Sequence, residues 1–308
     1  MISTVVIPTY NRPEQIAAAL DALAAQYDPD APFAVVVVDD GSDPVISIYG
    51  IDRPFPVKLV RLPRNRGRAA ARNAGVAVVK TPLTVFIDDD MRVEPGYMRA
   101  WQSRIDPHGK TVGLGHVVFH PDVQRDALTR YLETRGIAKL SDDEQIPYRY
   151  FLTYNSAVPT HLLREVGGFD ERLRAWGGED LELALRLQRA GGVFVRVPDA
   201  KALHAHCRDL LRVWDISMQF ARDSMPILFE KHPELIRELH ADVLGPRVTE
   251  KSLRRVAVRA LTQRPLPDWI RVAMTRWPKA PWPMRAFDYV IASAWRRGLD
   301  EAAQRGRL

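Results

Sequence analysis

Asp88, Asp89 and Asp90 stand at the end of an apolar run, residues 83–87, whose β-branched and aromatic side chains predict a buried strand. Adjacent carboxylates repel one another, so a sheet edge that keeps three together draws a divalent cation or a cationic partner. Taken alone, the run is equally well explained as a solvated acidic turn. Asp88 and Asp90 are separated by one residue, and a metal held there could bridge to a diphosphate. A second acidic pair, Asp39-Asp40, ends another apolar run beside Gly41. It suits a hydrogen bond to the polar edge of a base or ribose, or else a tight turn. Arg66, Arg68 and Arg72 surround the start of an alanine-rich helix, where phosphate oxygens are favoured, with plain surface arginines as the alternative.

Further along, Glu179 and Asp180 open a helix behind Gly177-Gly178. The positive end of the helix dipole favours their ionised forms, and an ionised carboxylate beside a substrate hydroxyl can take its proton as a general base. Acids in a first turn are also ordinary helix-start chemistry. Trp176 on this glycine turn offers a stacking platform for a sugar, and Asn155 an amide for a sugar hydroxyl. His204 and His206 alternate along an extended segment, so they share a face and could add imidazole to a metal set. A histidine pair by itself is more often a polar surface feature.

These groups need a scaffold that gathers them. Residues 4–8, 34–38, 57–62 and 83–87 read as buried strands, and residues 13–26 and 67–80 as helices, the first with Ile16, Leu20 and Leu23 at helical spacing. Alternating strand and helix predicts an α/β fold on a parallel sheet, with the loops after strands 1, 2 and 4 on one edge. That edge collects Tyr10-Asn11-Arg12, Asp39-Asp40 and Asp88-Asp89-Asp90. Downstream the text predicts helices over 97–104 and 123–137, a strand over 111–119, and a polar, acidic, mobile loop over 140–147. It then predicts a helix over 179–190 closed by Gly191-Gly192, a last strand over 194–197, and a loop over 199–206. From Leu210 the chain is helical, arginine-rich and broken by prolines, which places a boundary between residues 1–209 and 210–308.

The 308 residues, 46% of them apolar, suffice for a sizeable core. No apolar window is long enough for a membrane span and no signal-peptide pattern opens the chain, so the expected location is the cytoplasm. The single cysteine, Cys207, excludes an internal disulfide and a cysteine-rich metal site. Residues 245–308 hold 14 Lys and Arg against 5 Asp and Glu, a net of +9, which leaves −3 on the remainder. Such a segment can serve an anionic membrane surface, an anionic acceptor or nucleic acid, although a solvated helical face is the commonest meaning of scattered arginines.

The ordered set Val6-Ile7-Pro8-Thr9-Tyr10-Asn11-Arg12, Val38-Asp39-Asp40-Gly41-Ser42, Asn65-Arg66-Gly67 with Ala71-Arg72-Asn73-Ala74-Gly75, Phe86-Ile87-Asp88-Asp89-Asp90, Gly167-Gly168-Phe169-Asp170 and Trp176-Gly177-Gly178-Glu179-Asp180 resembles family 2 glycosyltransferases of the GT-A fold. The last segment is also similar to the C-terminal half shared by polypeptide N-acetylgalactosaminyltransferases and β-1,4-galactosyltransferases. The resemblance implies a Rossmann-like, mostly parallel sheet flanked by helices, followed here by a helical C-terminal extension. It implies that Pro8, Tyr10 and Asp40 hold the nucleoside, with Arg12, Asp39 and Asp89 beside them, and that Arg66 or Arg68 lies near the donor. Asp88 and Asp90 form the DXD motif. Asp90 and His204 would be ligands of Mn²⁺ or Mg²⁺, while His206 has no counterpart. The resemblance further implies that Asp180, with Glu179 next to it, would be the base of an inverting transfer from a nucleoside-diphosphate sugar to an acceptor hydroxyl. The polypeptide transferases are retaining and carry Asn at that position, so the acid at Asp180 favours inversion. The acceptor is a glycan, a lipid-linked molecule or a small molecule. Apart from the resemblance, the tryptophans among arginines from Leu210 onward make peripheral contact with the inner membrane face, or a homodimer, the expectation for the basic C-terminus, with no nucleic-acid partner. A non-catalytic nucleotide-sugar or glycan-binding module and a nucleotidyltransferase are the rival readings. The second lacks the Gly-rich loop that such enzymes generally carry after strand 1.

Overall fold

The runs of valine and isoleucine that end in acids are too apolar to face water on either side, and they form the centre of a covered sheet. The computed structural model describes residues 3–48, 52–135, 145–246, 253–263 and 265–308. Residues 140–144 of the expected acidic loop, and 136–137 of the expected helix before it, lie outside the described residues. The chain divides into two compact units.

The first unit comprises Met1–Val123, Arg135–Glu171 and Glu179–His206. Its strands are Ser3–Thr9 (β1), Phe33–Asp39 (β2), Val57–Arg61 (β3), Leu83–Ile87 (β4), Met91–Val93 (β5), Thr111–Phe119 (β6), Asn155–Pro159 (β7) and Val193–His204 (β8). They form one eight-stranded sheet in the order β3-β2-β1-β4-β7-β6-β8-β5. β3, β2, β1 and β4 run parallel, as the alternating pattern predicts, and β6 pairs with β8 in parallel; β7 and β5 enter antiparallel. Thr9 lies opposite Asp39 in the β1–β2 register, so the loops after these strands leave from one edge. Helices Pro13–Ala25 (α1), Arg68–Val78 (α2) and Tyr97–Arg104 (α3) follow the expected positions closely. Ile16, Leu20 and Leu23 pack with Val5, Val35 and Val85 in the principal core.

Two departures matter for chemistry. The last strand does not stop at Val197 with a loop behind it. It runs on to His204, continuing its pairing with β6 past a bulge at Gly115/His116 and adding β5, in which Met91 faces His204. Pro198 and the polar residues after it hide this strand from a propensity argument, because the pairing partners that satisfy it are distant in sequence. β5, only three residues long, carries no sequence signal of its own.

The second unit comprises Gln124–Thr134, Arg172–Gly178 and Cys207–Leu308. Helix Ala127–Glu133 (α4) belongs to it and is shorter than the expected 123–137. Asp126 caps it by accepting the Thr129 N–H with its side chain, while the Thr129 hydroxyl oxygen accepts the Asp126 N–H. Thr160–Glu165 (α5) and Glu179–Arg189 (α6) are further helices of the first unit. The second unit continues with Leu210–Gln219 (α7), a π-helical turn at Phe220–Ser224, then Met225–Lys231 (α8), Leu235–Glu238 (α9), Ala241–Leu244 (α10), Leu253–Leu261 (α11), Leu266–Arg276 (α12) and Met284–Gln304 (α13). Pro226 and Pro267 sit in the first turns of α8 and α12, where a missing N–H is harmless. Leu128, Tyr131, Leu210, Val213, Met274, Phe287 and Val290 form the core of this unit. Among the described residues no helix is long and apolar enough to cross a membrane.

Candidate active site

The three aspartates at the end of β4 have different surroundings. Asp89 is buried between the β1 and β4 edges: its Oδ2 accepts the Thr9 hydroxyl at 2.8 Å and its Oδ1 an Arg12 N–H at 3.1 Å. Burial pushes its carboxyl up to about 6 against the opposing pull of Thr9 and Arg12. The middle acid is thus a clamp. The same Arg12 nitrogen reaches Asp90 Oδ2 at 3.2 Å. Asp90 is tied to the far end of β8, its carbonyl accepting the Ala205 N–H at 2.9 Å, and His204 Nε2 lies 3.4 Å from Asp90 Oδ1. The His204 ring stacks on Phe119 with centroids 5.7 Å apart, which fixes its plane.

The four expected metal-site residues are not all gathered. Asp90 and His204 are adjacent, Asp88 turns to an arginine, and His206 is exposed. Among the described residues no group of three or more His, Cys, Asp or Glu side chains is placed to hold a metal. A carboxylate oxygen and an imidazole nitrogen side by side nonetheless fit Mn²⁺ or Mg²⁺, with further positions left for oxygens of a diphosphate.

Arg72 is the residue that a reading of surface arginines misses. Within α2 it shares a buried stripe with Ala69 and Val76, one turn before it and one turn after, and its side chain is 2% exposed. Its guanidinium donates to Asp88 Oδ1 at 2.9 Å and Glu179 Oε1 at 3.2 Å, and lies 3.7 Å from Asp180 Oδ1. The Phe169 ring lies beneath it at 5.7 Å. Three carboxylates around a buried cation hold it firmly protonated, outweighing the desolvation that acts first in the opposite sense. Helical spacing could have found Arg72, since position 72 falls on the same stripe as Val76. Thr153, whose hydroxyl donates to Asp180 Oδ1 at 2.7 Å, has no such signal.

Asp180 is pushed up to about 7, first by burial and then by the charge of Glu179, while Arg72 and Thr153 pull the other way. Glu179 is buried and belongs to the Arg72 network. Asp40 accepts the N–H groups of Arg66 and Gly67 at 2.8 and 2.9 Å, and Asp39 accepts that of Ser42 at 2.9 Å. Both acids therefore shape the loop, and a nucleoside would meet only their remaining lone pairs. Gly41, directly after them, has φ +78°, and a Cβ there would stand 2.4 Å from the Arg64 carbonyl carbon. Arg66 pairs with Glu171 at 2.6 Å, Arg68 and Tyr10 are exposed, and Pro8, next to last in β1, is half-buried. Asn155 departs from the expected sugar contact. Its side chain is 2% exposed, accepts the Tyr97 hydroxyl at 2.7 Å and donates to the carbonyls of Ala200 and His116, so it joins β7, α3 and β8.

In the second unit, Trp176 carries the Arg208 guanidinium 5.8 Å above its ring, which covers one face of the expected platform. Gly177 and Gly178 have φ of +81° and +100° and pack on the π-helical turn, where a Cβ on Gly178 would come within 3.2 Å of Ser224. This glycine turn is closely supported.

The model for glycosyl transferase family 2 matches residues 4–166, more than half of the chain. The protein belongs to glycosyl transferase family 2. A second match, described as the N-terminal domain of galactosyltransferase, covers residues 136–208 and contains Glu179, Asp180 and His204. Among curated relatives of this family 2 member, validoxylamine A glucosyltransferase of Streptomyces hygroscopicus subsp. limoneus is 28% identical, with 77% of this chain and 58% of that protein covered. Pre-mycofactocin glycosyltransferase of Mycobacterium tuberculosis strain H37Rv is 30% identical over 75% of this chain and 48% of its own. The chain spans about half the length of these relatives. A solved mannosyltransferase from Pyrobaculum calidifontis, in complex with GDP-Man and Mn²⁺, superposes with a TM-score of 0.59 at 20% identity, over 97% of this chain and 87% of that one. The family 2 chain has the GT-A fold expected of it.

Proposed function

We propose that this family 2 protein is a metal-dependent glycosyltransferase that moves a sugar from a nucleoside-diphosphate donor to an acceptor hydroxyl with inversion, Asp180 acting as the base. The observation that carries the reading is the buried Arg72, which joins Asp88 of the DXD motif to Glu179 and Asp180, while Asp90 stands against His204. A proton acceptor and a diphosphate anchor are thus parts of one rigid arrangement. Residues 1–209 form the catalytic domain in this reading and 210–308 a basic extension.

Asp90 and His204 would hold Mn²⁺ or Mg²⁺, which supplies positive charge for the departing nucleoside diphosphate. The mannosyltransferase of the same fold, with GDP-Man and Mn²⁺ bound, supports this assignment. Tyr10, Pro8 and the Asp39-Asp40 loop receive the nucleoside, and Arg66 or Arg68 the phosphates. Asp180 takes the proton from the acceptor hydroxyl as its oxygen attacks the anomeric carbon and the bond to the diphosphate breaks. A carboxylate whose proton affinity is raised toward neutrality by burial accepts that proton more readily than an ordinary surface aspartate.

Incubation with UDP-, GDP- and dTDP-sugars and Mn²⁺ should release nucleoside diphosphate, and Asp90→Ala should abolish both donor hydrolysis and transfer. Full activity in Asp90→Ala would overturn the assignment. Donor binding without product from any acceptor would favour a binding module, and released pyrophosphate a nucleotidyltransferase.

A further inference from the structure

Helix α12 is apolar on two opposite sides. Its inner side, Pro267, Ile270 and Met274, packs into the core of the second unit. Its outer side presents Leu266 at 44% exposure, Trp269 at 67% and Val272 at 58%, spaced three residues apart along one stripe, and Trp277 at 60% follows the last turn. Leu261 at the end of α11 and Met284 at the start of α13 are exposed as well. A run of large apolar side chains on the helix face turned away from the core, rimmed by cations, marks an interaction surface, so the bare outer stripe calls for an occupant.

The other tryptophans of this unit are engaged in packing. Trp214 lies between the guanidinium groups of Arg271 and Arg297 at 4.9 and 5.2 Å, Trp282 donates its ring N–H to the Trp277 carbonyl at 2.9 Å, and Trp295 packs edge-on against Phe220. Trp269 and Trp277 are exposed large aromatics of the kind that settle at the boundary between headgroups and acyl chains.

Charge identifies the occupant. From Pro265 to Phe287 the cations are Arg271, Arg276, Lys279 and Arg285, and the one acid is Asp268. Asp268 is already bound by Arg271 and Arg297, at 3.5 and 2.9 Å. Arg276, Lys279 and Arg285 are exposed and flank Trp277 and Met284. Tryptophan and aliphatic side chains beside cations match an anionic bilayer surface, which accepts the first into its interface and attracts the second. A second copy of the chain would bring a segment of net +9 against its like. Leu266, Val272 and Met284 have no ring on which a nucleobase could stack.

We propose that the outer face of α12 and the segment through Met284 dock this protein on an anionic lipid surface. The inference is independent of the reaction assigned to the first unit. It is tested by co-sedimentation of the full chain with vesicles of phosphatidylcholine alone and of equal parts phosphatidylcholine and phosphatidylglycerol. The protein should pellet with the anionic vesicles, remain in solution with the neutral ones, and be released as salt is raised. Trp269→Ser with Trp277→Ser, and separately Arg276→Glu with Lys279→Glu, should each reduce pelleting at least tenfold while leaving the circular dichroism spectrum and donor hydrolysis unchanged. Unaltered pelleting in the tryptophan variant, or equal binding to neutral vesicles, would overturn the proposal. So would absence of vesicle binding together with a variant-sensitive dimer in sedimentation velocity, or a variant-sensitive shift of single-stranded RNA.

Discussion

Asp180 titrates where an enzyme can use it. Because its proton affinity is raised, the proposed base is neutral and inactive in acid and becomes competent as pH rises through about 7. The expected kcat/KM profile therefore falls about tenfold per pH unit below that midpoint and is flat above it. Asp180→Asn should remove the limb together with the activity while leaving donor affinity in place; a limb that survives in Asp180→Asn would assign the proton to another group. Asp89 has the opposite character. Its neighbours are the Thr9 hydroxyl and Arg12. Asp89→Ala leaves the Thr9 hydroxyl without its acceptor and Arg12 with Asp90 alone, and should lower stability by about 1–3 kcal/mol, read from denaturant melts.

At the scale of elements, Arg72 ties α2 to the β4 loop and to the first turn of α6. Removing one partner of a buried ionic network leaves the others uncompensated, so Arg72→Met should destabilise the protein by about 3–5 kcal/mol. Arg72→Lys keeps the charge but cannot reach three carboxylates in one plane, and should retain more of the stability than of the transfer rate. A melting midpoint for Arg72→Met equal to that of the unaltered protein would show the network to be dispensable. The extension of β8 has a parallel role. Without its last residues paired to β5, His204 would have no fixed place beside Asp90.

For the whole molecule, donor binding should be visible as stability. A cognate nucleotide-sugar present at about 100 times its dissociation constant stabilises the folded chain by about 2.7 kcal/mol. The thermal shift should appear with Mn²⁺ and collapse with EDTA, since Asp90 and His204 by themselves make an incomplete ligand set. An equal shift without metal would remove the cation from the donor site. The sequence determined the strand ends that carry Asp39-Asp40 and Asp88-Asp89-Asp90, the helix that begins at Glu179, and the order of motifs that marks the family. Each depends on neighbours within a few residues, through side-chain periodicity and capping. Tertiary structure alone decided that Arg72 turns inward, that Asp89 is a clamp and Asn155 a strut, that β8 delivers His204 to Asp90, and that Trp269 and Trp277 stay bare while Trp214 is enclosed. Those outcomes depend on strand register and on which distant side chains satisfy a buried charge, and no local pattern encodes them.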